Sequence, residues 1–233
     1  MVISPHLDDA VLSLGATIAH AVEAGTQVEV LTVFACSTDS NAPTDDWDRK
    51  SGFATEGQAA QQRRREDQTA CSILGVAPRW FDFGAQPYDR RASMQEVISA
   101  VAAATAGADT VLVPGYPLAH ADHAALANGV LSHGLSCRRL GLYAEQPYAF
   151  DRSDTPTGPV PEMPAAGVKS GTLTWQRSCA SGTHRRLKLR AVKQYVSQLP
   201  QLGLRNFGHL RLRCMLWNES RMGGETIAWP NAT

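Results

Sequence analysis

The chain has 233 residues, of which 43% are hydrophobic, and this is enough to bury one large core. Lys plus Arg and Asp plus Glu both number 22, so no global field recruits nucleic acid or an anionic membrane. The five cysteines are scattered and form no CxxC pair, which argues against a disulfide framework and a thiolate zinc cluster. We expect a single domain over residues 1–233, located in the cytoplasm, without a membrane span or a signal peptide.

The first two-thirds of the chain alternates between strand and helix patterns. Apolar strands are predicted at 1–4, 27–35, 79–83, 110–114 and 140–143, and amphipathic helices at 10–23, 58–74, 94–104 and 120–131. This βαβ order predicts an α/β, Rossmann-like fold, in which helices flank a mostly parallel β-sheet. No Gly-x-Gly-x-x-Gly follows the first strand, so a dinucleotide role is not expected.

Long substrate loops are predicted where this pattern is interrupted. Residues 36–57 are polar, turn-rich and too long for an ordinary βα connection, which is typical of a lid or a substrate loop. Residues 151–171 are rich in Pro, Gly and Ser and have no periodicity. Beyond them a strand is predicted at 172–176 and an amphipathic helix at 183–198, whereas the pattern from Leu204 onward fits no single element.

One imidazole and two carboxylates follow the first strand within four positions. The strand ends at Pro5, and His6, Asp8 and Asp9 stand in the turn before the next helix. Open α/β sheets bind ligands at the edge where such turns lie, so the spacing predicts a metal site there. The alternative is that one of the aspartates only caps the helix.

A second cluster follows the strand at 110–114. His120 and His123 are three residues apart, which on a helix places them about 60° apart around the axis, so both can address one site. Asp122 is predicted to act in the same catalytic site by holding a ring nitrogen of His120. If the first and fourth strands are neighbours, the two clusters converge; the alternative is a surface helix that carries two histidines.

The two clusters offer more groups than a catalytic zinc needs, because such a site has three protein ligands and an open position for water. His6, Asp9 and His123 are the predicted ligands, with Zn²⁺ as the expected ion, although another divalent metal such as iron is compatible with these donors. Asp8 is predicted to accept the proton of a metal-activated water as that water attacks an acyl carbon. His120 is predicted to stabilise the oxyanion or protonate the leaving amine.

Residues 4–15, together with 120–123, resemble the LmbE-like (PIG-L) zinc-dependent N-deacetylases in motif order and spacing. Weaker similarity at 63–67, 143–148 and 188–198 extends the resemblance over most of the chain. The resemblance implies the same ligands, base and catalytic histidine. It also implies hydrolysis of the N-acetyl amide of an amino-sugar conjugate, such as an N-acetylglucosaminyl metabolite, in specialised metabolite biosynthesis.

The resemblance implies substrate-binding roles for Arg64 and Tyr116, and Glu145 is predicted to line the substrate site because it follows a strand. Arginine runs and Tyr-Pro turns are also ordinary surface features. The expected partner is a small-molecule amino-sugar conjugate, and self-association as a homo-oligomer stays open. Relatives often have Glu where this chain has Ala10. Two alternatives remain: another metal-dependent amidase or phosphoesterase on the same site, and a carbohydrate-binding relative without turnover.

Overall fold

The computed structural model describes residues 1–85, 92–151, 173–178 and 180–230. Its strands are β1 (Val2–Ser4), β2 (Val30–Thr32), β3 (Pro78–Trp80), β4 (Thr110–Tyr116), β5 (Arg139–Ala144), β6 (Leu173–Arg177) and β7 (Thr226–Pro230). Its helices are α1 (Asp9–Glu23), α2 (Asp46–Lys50), α3 (Glu56–Leu74), α4 (Met94–Thr105), α5 (Ala121–His133), α6 (Tyr148–Asp151), α7 (Gly182–Val192) and α8 (Asn206–Arg221). The α/β class predicted from the sequence is confirmed.

The strands form one sheet in the order β3-β2-β1-β4-β5-β7-β6. The first five are parallel, β7 is antiparallel to β5, and β6 is antiparallel to β7. Val2 in β1 pairs with both Val30 in β2 and Leu112 in β4, so β1 and β4 are direct neighbours. The chain moves outward from β1 to β3 and then returns to β4, which places the topological switch point between β1 and β4.

The core has two layers, because both faces of the sheet are covered by helices. Apolar residues of α1, α3, α7 and α8 pack on one face, among them Leu14 and Met215. Apolar residues of α4 and α5 pack on the other, among them Val101 and Val130. No described helix is both long and apolar enough to cross a lipid bilayer.

The structure differs from the sequence prediction mainly in the last third of the chain. The predicted helix 183–198 ends at Val192, and the C-terminal part, which the pattern left undefined, forms α8 and the sheet strand β7. The long stretch 36–57 contains the short helix α2. Apart from Asp151, the predicted loop 151–171 lies outside the described residues.

Candidate metal centre

Hydrogen bonds fix the turn between β1 and α1. The Ser4 hydroxyl donates to the His6 carbonyl (2.6 Å) and accepts from the Ala10 amide (3.0 Å), while the His6 amide donates to Asp9 Oδ2 (2.8 Å). Asp8 occupies the N-cap position, but its carboxylate makes no capping hydrogen bond. Helix capping therefore does not account for the Asp8 side chain, which lines the adjoining cavity.

The second cluster meets this turn from the neighbouring strand. The ring of His120 caps α5 by accepting a hydrogen bond from the Asp122 amide at Nδ1 (3.2 Å), and His123 lies in the first turn of the helix, fully buried. The ring centroid of His6 lies 4.9 Å from that of His120 and 5.0 Å from that of His123. The two motifs, 111 or more residues apart in sequence, thus share one site at the switch point.

The three predicted ligands place one donor atom each around a common point. His6 Nδ1 lies 3.5 Å from Asp9 Oδ2, His123 Nε2 lies 3.1 Å from the same oxygen, and the two nitrogens are 3.0 Å apart. Ligands of a tetrahedral zinc at 2.0–2.1 Å are separated by roughly 3.3 Å. The spacing and the donor chemistry therefore fit a divalent metal ion. A nitrogen of His120 lies within 4.8 Å of the nitrogens of the other two histidines.

Two buried carboxylates orient the ligand imidazoles from behind. Asp122 Oδ2 lies 3.2 Å from His6 Nε2, so the carboxylate contact that we expected at His120 is described at His6 instead. Glu145, which is fully buried, hydrogen-bonds His123 Nδ1. A proton on each outer nitrogen directs the lone pair of the inner nitrogen toward the ligand point.

The electrostatics of the site favour a cation. Burial raises the pKa of Asp8 well above its ordinary value, and the neighbouring Asp9 raises it further. Burial opposes the charged forms of Asp9 and His123 as well, but their mutual attraction lowers the pKa of Asp9 and, with Glu145, raises that of His123 to about 11. Burial and the adjacent imidazoles lower the pKa of His120. The buried carboxylates thus favour positive charge at the point where the ligand atoms meet.

A cavity of about 810 Å³ opens above these residues. Its floor is formed by His6, Asp8, Asp9 and His120. Its walls include Phe34, Asp45, Trp47, Asp48, Glu56, Arg63, Asp82, Phe83, Pro147, Tyr148 and Leu202. The volume lies within the range of about 300–1,000 Å³ that is common for small-molecule sites.

Of the three arginines at 63–65, it is Arg63 that lines the cavity, where its guanidinium pairs with Asp48 of α2. Arg64, the predicted substrate-binding residue, lies outside the cavity lining. Its Nε donates to the Ala35 carbonyl (2.8 Å), and its guanidinium also pairs with Asp82 (3.1 Å). Arg64 therefore joins α3 to the loops after β2 and β3.

The other two predicted substrate-binding residues also lie away from the cavity surface. Tyr116 packs edge-on against Trp175, with ring centroids 6.4 Å apart. Glu145 faces His123 from inside the protein, where no solvent reaches it. Pro147 and Tyr148, which follow it, do line the cavity.

Comparison with known proteins agrees with this architecture. Residues 1–133 match the family model described as PIG-L: GlcNAc-PI de-N-acetylase. Two similar crystal structures are those of an A40926 pseudoaglycone deacetylase (28% identity, TM-score 0.76) and a deacetylase triple mutant of the teicoplanin biosynthetic pathway (28%, 0.78). Each alignment covers 98% of this chain and 95% of the other.

A more distant similarity, at the level of the fold alone, is to N,N'-diacetylchitobiose deacetylase from Pyrococcus horikoshii (20% identity, TM-score 0.56, 98% of this chain and 82% of that chain). A comparison with curated protein sequences found no match. The family model spans more than half of the chain and includes both His/Asp motifs of the site. The chain therefore belongs to the PIG-L family, that of the GlcNAc-PI de-N-acetylases.

Proposed function

We propose that this protein hydrolyses the N-acetyl amide of an amino-sugar conjugate with the help of a divalent metal ion held by His6, Asp9 and His123. The observation that carries the proposal is the convergence of three ligand atoms, 3.0–3.5 Å apart, beside the unused carboxylate of Asp8 on the floor of an open cavity. Family membership and the two deacetylases at 28% identity support the same reaction class.

A metal ion at this point would lower the pKa of a water from about 15.7 to roughly 7 and polarise the carbonyl of the amide. Zn²⁺ suits two imidazole nitrogens and one carboxylate oxygen with a position left open. Other divalent transition metals accept the same donors, so the native ion depends on the coordination geometry of the site and on which metal ions are available in the cell.

Asp8 is the general base in this proposal. Its carboxylate is buried next to the ligand Asp9 and is not occupied by helix capping. Because the pKa of Asp8 is raised, it lies closer to the pKa of a metal-activated water, and this favours proton transfer from the water to the carboxylate. The same carboxyl group can then release the proton to the departing amine.

His120 faces the same space with a defined tautomer. Because its Nδ1 accepts the backbone N–H of Asp122, the proton of the neutral ring is on Nε2. The lowered pKa keeps the ring neutral near pH 7. His120 can therefore donate a hydrogen bond to the amide oxygen as that oxygen gains negative charge.

The cavity walls provide the groups that would recognise the substrate. Trp47 is 40% exposed and offers an aromatic face on which a sugar ring can stack. Arg63 lines the cavity, where its guanidinium can donate a hydrogen bond to a sugar oxygen. We propose these two residues as substrate contacts in place of Arg64 and Tyr116.

The proposal is tested by measuring acetate release from N-acetylglucosaminyl conjugates by the zinc-loaded protein. We expect His123→Ala to lose the zinc ion of this site, and Asp8→Asn to retain it while kcat falls at least about a hundredfold. His133→Ala, at the exposed end of the same helix, is the matched control and should keep both zinc and activity. Release of phosphate or of another acyl group instead of acetate would contradict the proposed reaction, and unchanged turnover by Asp8→Asn would contradict the assigned base.

A further inference from the structure

A second group of metal-ligand side chains lies at the far end of α1. His20 and Glu23 are in its last turns, and His184 is in the first turn of α7. One ligand atom of each residue lies within 4.8 Å of the other two. Since α1 rises about 1.5 Å per residue, this group is roughly 16 Å along the helix from Asp9 and is separate from the catalytic centre.

The packing of α7 on α1 explains why these residues meet. His20 and Glu23 are three apart and so share one face of α1. His184 is buried beneath this face, and its Nδ1 is fixed by the Ser181 amide (2.9 Å) in a capping box. The outer nitrogen, Nε2, consequently points at Glu23, with 2.8 Å between Nε2 and Oε2.

His20 supplies an unsatisfied nitrogen. Its Nδ1 is buried and makes no hydrogen bond to any residue that the structure describes, although buried polar atoms are nearly always paired. The ring lies edge-on to that of His184, with centroids 5.0 Å apart. Two imidazoles and one carboxylate that meet in this way are a donor set that suits a transition-metal ion.

We propose that His20, Glu23 and His184 bind a divalent transition-metal ion, such as Zn²⁺, which joins the end of α1 to the start of α7. Two imidazoles and one carboxylate favour Zn²⁺, Ni²⁺ or Cu²⁺ over Ca²⁺ and Mg²⁺, which prefer oxygen ligands. The Glu23 side chain is 70% exposed and can rotate to close the remaining distance. Binding through Nε2 requires His184 to carry its proton on Nδ1. The Nδ1–H then donates a hydrogen bond to the Ser181 hydroxyl, 3.0 Å away, while the Ser181 amide gives up its hydrogen bond to Nδ1 and bonds to water at this exposed end of the helix.

The alternative is a local cluster held only by the hydrogen bond between His184 and Glu23 and by the edge-on contact of the two imidazole rings. Such a cluster would have no affinity for a metal ion, and replacing His20 would lower the stability of the protein only slightly. The two alternatives therefore differ in metal stoichiometry as well as in stability.

The test is the zinc content of the full-length protein after equilibration with Zn²⁺ and removal of free ion. We expect about two zinc ions per wild-type chain and one in His20→Gln, a change that removes no described hydrogen bond of the ring nitrogens. His123→Ala should also retain one, and the double variant none. His133→Gln, an exposed histidine outside both groups, is the control and should bind two.

A thermal measurement separates a specific site from weak surface binding. In the His123→Ala background, zinc at about a hundredfold excess over its Kd should raise Tm by roughly 5–10 °C, and His20→Gln should abolish the rise. If wild type binds a single zinc that is lost in His123→Ala, or if His20→Gln leaves both stoichiometry and Tm unchanged, the proposed site is overturned. Neither result depends on which amide the enzyme hydrolyses.

Discussion

The two proposed ligand histidines present opposite ring nitrogens to the candidate site, and the carboxylates behind them explain why. His6 presents Nδ1 to the ligand point because Asp122 contacts its Nε2, whereas His123 presents Nε2 because Glu145 contacts its Nδ1. A carboxylate on the outer nitrogen fixes both tautomer and ring orientation. The orientation of His6 is thus determined by Asp122 of the second motif, and that of His123 by Glu145, which lies outside both motifs.

Glu145→Gln should weaken metal binding about ten- to a hundredfold, because an amide stabilises the Nδ1 proton of His123 less well than a carboxylate does. At saturating metal, most of kcat should return, since Glu145 does not reach the cavity. Isothermal titration with Zn²⁺ and turnover against zinc concentration measure both effects. A lower Tm with unchanged zinc affinity would show that Glu145 is only a packing residue.

Residue spacing in the sequence was sufficient to find the groups that meet at the site but not those that line its walls. His6, Asp9 and His123 could be paired because each motif follows an apolar strand. In the arginine run, successive helix residues point about 100° apart, so only one side chain can face the cavity. In the structure it is Arg63 that faces the cavity. Which arginine does so depends on how α3 is rotated as it packs on the sheet, and the local sequence around Arg64 does not encode that rotation.

At the scale of elements, α1 is held by a buried ionic group. Lys188 of α7 is fully buried between Glu219 (2.9 Å) and Glu225 (2.7 Å). Glu225 in turn accepts the amides of Ala16 (2.9 Å) and Thr17 (2.7 Å) in the middle of α1. These contacts fix the helix whose N-terminal end carries the candidate base and a ligand.

This group predicts a specific pH dependence of stability. One ammonium group cannot balance two buried carboxylates. Burial and the negative charge of Glu225 raise the pKa of Glu219 to about 7, although the attraction of Lys188 acts in the opposite direction. The unfolded value is 4.5, so the folded state holds the proton more tightly. The stability contribution is complete below the unfolded pKa and is lost as pH rises through about 7.

Between about pH 5 and about pH 7.5, wild type should therefore lose about 2 kcal/mol of unfolding free energy relative to Glu219→Gln. Urea unfolding of both proteins at the two pH values measures the difference, and contributions of all other groups cancel in the comparison. Glu29→Gln, which changes an exposed carboxylate, should follow wild type. Parallel pH profiles for wild type and Glu219→Gln would contradict the assignment.

Two of the segments with weaker family similarity, 63–67 and 188–198, contact each other in the structure although they are far apart in sequence. The Tyr195 hydroxyl donates to Asp67 of α3 (2.7 Å), and the Ser197 hydroxyl donates to Glu66 (2.7 Å). These bonds turn the chain inward after α7, so the helix ends at Val192 although its apolar periodicity continues. Periodicity reports the local preference of a segment, whereas these partners lie about 130 residues away.

For the whole molecule, the parallel half of the sheet was predictable and the antiparallel edge was not. Apolar runs separated by helix patterns specify right-handed βαβ units, and this gives the order from β3 to β5. Strand β7 pairs antiparallel to β5, and β6 pairs antiparallel to β7, and no crossover rule fixes such pairings. The convergence of the two motifs needs only the parallel half, which is why the site could be located from the sequence.

The position of the site within the sheet also predicts that residues 1–133, although they match the family model and contain both motifs, do not form it alone. This fragment lacks β5, the direct neighbour of β4, and it lacks Glu145 behind the ligand His123. It also lacks the apolar face of α7 and α8 that covers α1, so part of the core would face water.

We therefore expect the full chain to unfold in one transition that is the same by tryptophan fluorescence and far-UV circular dichroism, as a single domain should. The fragment 1–133 should show no cooperative transition and should bind zinc at least about a hundredfold more weakly, because an unfolded chain does not preform the ligand geometry. Two separate transitions in the full chain, or a fragment that folds and binds zinc as tightly as the full chain, would show that the C-terminal hundred residues form a separate unit instead of completing the domain.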